Sequence, residues 1–128
     1  MALRPTFTSG DVFTAVNANI LATSIVALNT QAGTAYTAAL TDVGKLINFT
    51  SNGSAIVFTI PANATVAFAV GDQINIYQGG SANATITPAA TVTVRSAGSK
   101  LKTDTQFAVA TCIKIDTNEW IALGLLKA

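Results

Sequence analysis

Apolar and polar residues alternate with period two along most of this chain, and the clearest run lies between Ala55 and Gln78. Ala55 to Ile60 is rich in β-branched and aromatic residues, and a pleat places Ile56, Phe58 and Ile60 on one face. Pro61 lacks an N–H for a ladder and ends that strand, and Asn63 marks a turn behind it. Gln73 to Gln78 then alternates, with Ile74 and Ile76 inward and Gln73, Asn75 and Tyr77 outward. The two strands are expected to pair across the proline and to set the register of the sheet, because a one-residue slip would turn each apolar set toward water.

The same pattern predicts further strands at 35–40, 45–49, 84–87, 91–95, 107–115 and 119–126. Asn52-Gly53 between two such runs is the signature of a tight hairpin, and Gly79-Gly80-Ser81 reads as a second. Val92 and Val94 point inward. So do Phe107, Val109, Ile113 and Ile115, opposite a small-residue face of Ala108, Ala110, Cys112 and Lys114. Asp116-Thr117-Asn118 turns the chain into a last strand whose Ile121, Leu123 and Leu125 face in. Only the beginning departs from period two: after the capping residues Ser9 and Asp11, Val12, Phe13, Val16, Ile20, Ile25 and Leu28 approximate helical spacing, with a linker following at 29–34.

About eight short strands at regular spacing predict a mainly β fold, an antiparallel, jelly-roll-like β-sandwich with one N-terminal helix. The expected organisation is an N-terminal arm and helix over 1–34 and a β-sandwich domain over 35–128.

Composition sharpens this picture. The chain has 128 residues, of which 50% are hydrophobic and only 10% charged, against about 25% charged in an average soluble domain. Permanent interfaces are depleted in charge, so a homo-oligomer is expected, with the apolar stripe of Val12, Phe13, Val16, Ile20 and Ile25 as the candidate assembly interface. A net charge of +1 supplies no field to draw in nucleic acid or an anionic membrane. No apolar run is long enough for a membrane helix, and the first residues lack a secretory leader's apolar core, so cytoplasmic synthesis is expected.

Candidate chemistry is sparse. The chain has no histidine, and therefore no imidazole base or ligand. The acidic residues Asp11, Asp42, Asp72, Asp104, Asp116 and Glu119 sit at predicted turns or at a strand's start, and the lone Cys112 has no activating partner. No metal-ligand spacing is present, so no catalytic residue, cofactor site or metal site is assigned. Tyr77 and Trp120 are candidate platforms for stacking a glycan, each with a plainer role in packing.

Two stretches carry a family resemblance. Phe7, Gly10, Asp11, Val12, Thr14, Ala15 and Asn19 fall on the pattern F-x-x-G-D-V-L-T-A-x-x-x-N, with Phe13 in place of leucine. The segments Leu40-Thr41-Asp42-Val43-Gly44-Lys45, 67–80, Val92-Thr93-Val94-Arg95-Ser96 and Trp120 before Gly124 follow a second pattern. Together they resemble the small β-domain proteins of tailed-bacteriophage virions, found on heads and on tails. That resemblance implies a virion location and a structural role: a homotrimeric capsid decoration or cement protein, or a short head fibre, held on the major capsid protein through its N-terminal segment. The alternative it implies is a tail fibre or baseplate component that recognises a host surface glycan.

Overall fold

The computed structural model describes residues 26–128. The predicted helix, with Val12, Phe13, Val16, Ile20 and Ile25, lies outside the described residues. The described fold is mainly β, with eleven strands in two sheets. The strands are β1 (Leu28–Gln31), β2 (Ala35–Thr37), β3 (Leu46–Phe49), β4 (Ile56–Ile60), β5 (Gln73–Gln78), β6 (Ala84–Pro88), β7 (Thr93–Ser96), β8 (Lys102–Thr103), β9 (Val109–Asp116), β10 (Glu119–Gly124) and β11 (Leu126–Lys127).

From β1 to β6 the chain winds as a short coil. Odd strands enter a six-stranded sheet of order β1-β3-β5-β9-β10-β7, and even strands enter a five-stranded sheet of order β11-β8-β6-β4-β2. Each turn of the coil adds one strand to each sheet, so strands two apart in sequence lie side by side and run the same way: β1, β3 and β5 are parallel, as are β2, β4 and β6. This corrects the antiparallel, jelly-roll-like expectation. The physical reason is in the connections, each of which crosses to the opposite sheet.

Two predicted hairpins fall with that correction. Asn52-Gly53 joins β3 to β4, and Gly79-Gly80-Ser81 joins β5 to β6, and in both cases the chain changes sheet. Nor do β4 and β5 pair across Pro61. The glycine corner instead stacks on the corner before it: Gly79 and Gly80 both donate N–H to Phe49 O, at 2.8 and 2.9 Å. A Cβ on Gly80 would stand 2.2 Å from Ser51 O, so only glycine allows the approach. Ser81 ties the same corners by donating to Asn52, its N–H to Oδ1 at 3.1 Å and its hydroxyl to the carbonyl at 2.6 Å.

Inside the coil, in-register pairing stacks inward residues in columns. Ile76 lies beside Ile47, and Ile86 beside Phe58. Phe49 and Phe58 meet across the core with centroids 5.7 Å apart. Burying each such side chain contributes about 1.5–3 kcal/mol. The predicted inward set, Ile56, Phe58, Ile60, Ile74 and Ile76, is fully buried.

The columns turn polar at their β1 and β2 end, where Asn29 lies beside Ile47, Gln31 beside Phe49, and Tyr36 beside Phe58. Asp42, buried between the sheets, organises this end. It accepts from Asn29 Nδ2 at 2.8 Å, from Tyr36 Oη at 2.8 Å and from the Ala39 N–H at 2.8 Å. Gln31 donates in turn to Asn29 Oδ1 at 2.8 Å. Each buried polar atom of this lid is answered by a partner, which is what burial demands. Leu28 and the segment predicted as a linker at 29–34 thus form β1, paired with β3, and the corner after it.

The rest of the chain closes the coil. β9 runs antiparallel to β5 and to β10, and the β9–β10 hairpin forms where Asp116-Thr117-Asn118 predicted it. At Gly124, φ is 131°, and a Cβ would stand 2.4 Å from Val109 O. The predicted strand over 119–126 therefore breaks there, and β11 joins the other sheet. A strap over 61–72 lies across the closing strands and inserts Phe68 against Trp120, edge to face at 5.3 Å. The strap is held by Lys114, whose buried Nζ donates to Phe68 O and to Asn63 Oδ1, both at 2.6 Å.

Candidate assembly surface

The outward positions of the six-stranded sheet follow from register and alternation. Leu28, Leu46, Asn75, Thr111 and Leu123 form one row across it. Beside it run Thr30, Asn48, Tyr77 and Val109, and on the other flank Gln73, Ile113, Ile121 and Arg95. Seven of these thirteen positions hold Leu, Ile, Val or Tyr; Leu28 is 66% exposed and Leu123 51%. The five-stranded sheet differs: its outward positions carry Thr37, Thr59, Thr85, Thr87 and Lys102, with Val57 as the large apolar exception.

This surface corrects the predicted facing of β9 and β10. Val109, Ile113, Ile115, Ile121 and Leu123 point out, whereas Ala110, Cys112, Lys114, Trp120 and Ala122 are buried. Leu125, expected inward beyond them, is exposed as well. The reason is volume. Trp120 and the strap's Phe68 fill the space behind these strands, and only Ala110, Cys112 and Ala122 leave room for them. Val92 and Val94 do turn toward the core.

Polar groups on the six-stranded face largely satisfy one another. Asn75 Oδ1 accepts from Gln73 Nε2 at 2.9 Å and from Thr111 Oγ1 at 2.8 Å. The charged pair, Arg95 and Glu119, forms an ion pair at the β7 and β10 flank. Asn48 Oδ1, on the same face, is buried without a partner among the described residues; the other pairings reduce what the face loses when water leaves it.

Tyr77 and Trp120, both candidate stacking aromatics, part company. Trp120 is 1% exposed, so it packs the core and is corrected out of any glycan site. Tyr77 stands on the outer face with Phe107, centroids 6.5 Å apart and planes 23° from parallel. Phe107 is 65% exposed and holds φ at 72°, a left-handed conformation uncommon for a bulky residue. Its N–H donates to Gln78 O at 2.7 Å, which fixes it there. The sequence left this aromatic pair hidden, because Phe107 was read as inward; the signal available was the small-residue face opposite it.

Among the described residues no three of Cys, Asp and Glu gather as a metal-binding group. Burial pushes the Cys112 thiol up to about 12, so it stays protonated at neutral pH. Tyr36 is also raised, first by burial and then by its hydrogen bond to Asp42. A groove of about 240 Å³ opens where β10 leaves its sheet, between Lys100, Ser96, Leu123 and Gly124.

Together the coil, its closing strands and the exposed apolar face define a mainly β, two-sheeted protein whose most distinctive surface is a sheet face. Against protein-family models, curated proteins and solved structures, the chain finds no match.

Proposed function

We propose that this chain is a non-enzymatic structural protein of a tailed-bacteriophage particle, working as a homo-oligomer, with a trimer the expected state. In this reading it is a capsid decoration or cement protein or a short head fibre. The N-terminal segment anchors it on the major capsid protein through Val12, Phe13, Val16, Ile20 and Ile25, and the β-domain packs beside its own copies. The observation that carries the reading is the outward apolar face of the six-stranded sheet, on a chain with only 10% charged residues. A monomer gains nothing from such a face, whereas an assembled protein covers it. The opening motif and the 67–80 segment support the virion location by resemblance.

Light scattering of the full chain at micromolar concentration tests the assembly, with a mass of several protomers expected. Imaging of particles that carry a labelled copy tests the location, with density on the head expected. A single-protomer mass, or label that never joins a particle, overturns the proposal. The exposed Tyr77–Phe107 pair favours one second reading, a tail component that stacks a host glycan. Binding of the purified protein to host cells, lost in Phe107→Ala, is the result that reading requires.

A further inference from the structure

We infer that copies of this chain meet through the outer face of the six-stranded sheet, like face against like, with Leu46, Tyr77, Val109 and Leu123 buried between them. This rests on the homo-oligomer reading above and specifies its surface. The first argument is area. Six strands about 4.8 Å apart, four to eight residues long at about 3.3 Å each, make a face on the order of 500 Å². Two such faces bury on the order of 1,000 Å² before side-chain relief is counted, which is at the lower bound for a specific protein interface. A like-against-like contact of whole faces is two-fold, so it pairs two protomers and does not by itself close a trimer.

The second argument is charge. A partner of other chemistry would need charge or hydrogen-bonding groups to select it, but on this face Arg95 and Glu119 neutralise each other and Asn75 is already bonded to Gln73 and Thr111. Such a face has nothing to repel its own copy. The third is shape. Sheets pack on sheets about 10 Å apart through interdigitating side chains, and the outward Leu, Ile and Val residues supply the same relief that fills this protein's own interior. The two aromatic rings, stacked at the end of the β5–β9 pair, are suited to anchor the contact, since Tyr is enriched among the residues that dominate interface energies.

The test uses the full chain. Val109→Lys with Leu123→Lys places like charges on the meeting face, and Val57→Lys places one on the five-stranded face. At micromolar concentration the double variant is expected to run as a protomer, its dissociation constant raised at least 100-fold, while Val57→Lys keeps the wild-type mass. Circular dichroism confirms that each variant is folded. A second measurement stands if the double variant fails to fold: a bulky maleimide should label Val109→Cys more slowly as protein concentration rises, and Val57→Cys at a constant rate. Cys112, buried and protonated, contributes no background. An assembled protein dissociated by Val57→Lys and not by the double variant overturns this inference and leaves the homo-oligomer reading standing. Protection of Val109→Cys at every concentration overturns it too, since the cover then belongs to the same chain. A wild-type protomer at every concentration removes both.

Discussion

In the coil, inward positions carry Ile47, Phe49, Phe58 and Ile86, and the outward positions of its five-stranded layer carry Thr59, Thr85 and Thr87 beside Val57. In β9 and β10 the arrangement reverses: Ala110, Cys112 and Ala122 lie inside and Val109, Ile113 and Leu123 outside. The coil fills its own core, so its strands need small polar residues only where they meet water. The closing strands receive bulk from Trp120 and from Phe68 on the strap, and their branched residues are left over for the surface. Which face of a strand is the core face is therefore decided by what stands across from it, and a face released from core duty is free to become an interface.

The sharpest way to break this contrast is Trp120→Ala. It should cost about 3–5 kcal/mol in urea denaturation, because it removes a fully buried ring and leaves a cavity beside Phe68. Leu123→Thr, on the opposite face of the same strand, should leave protomer stability within about 0.5 kcal/mol. At the coil's polar end, Asp42→Ala strips the acceptor from Asn29, Tyr36 and the Ala39 N–H, and a loss of about 2–3 kcal/mol is expected by the same measurement. Ala122→Leu tests whether the small inner face is needed: overpacking against Trp120 should cost about 1–3 kcal/mol.

The pH dependence probes both halves. The Cys112 thiol rises from 9.0 to about 12 on folding, so between those values the unfolded chain loses a proton that the native chain keeps. The thiol's contribution to stability should be constant below pH 9.0 and fall above it, by about 1.4 kcal/mol per pH unit. Tyr36, raised above its ordinary 10.0, adds a fall in the same direction at higher pH. Cys112→Ala should remove the first part of that slope in denaturation midpoints recorded across the range. Smallest of all, Glu119→Gln should change stability by less than about 1 kcal/mol, since its ion pair with Arg95 is largely solvated.

Much of this fold could be read from period two. All eight predicted strands have counterparts, and Ile56, Phe58, Ile60, Ile74 and Ile76 are buried as alternation required. Partnership was not legible, because Asn52-Gly53 announces a change of direction without saying which sheet the chain enters next. What settles it is a bond between corners far apart in sequence, Ser81 to Asn52. The two-residue strands β8 and β11 carry too few residues to show a period, and β1, with Asn29, Thr30 and Gln31 after Leu28, carries too little apolar alternation to stand out from a linker. On the surface, Tyr77 stands outward as alternation requires, but Phe107, Val109 and Leu123 also face out, because hydrophobicity alone does not distinguish an interior from an exposed apolar face. Trp120, the largest side chain on the opposite parity from Ile121 and Leu123, was the counter-signal.

The cluster of Asn29, Gln31, Tyr36 and Asp42 also sets a direction for growth. A stack of coils lengthens only while each turn hands the next an oily column, and here the last turn offers amides, a phenol and a carboxylate already spoken for. Addition along the coil axis therefore meets a finished end, while addition sideways meets open hydrocarbon. Under the assembly proposed above, copies would meet side by side and not end to end at this cap.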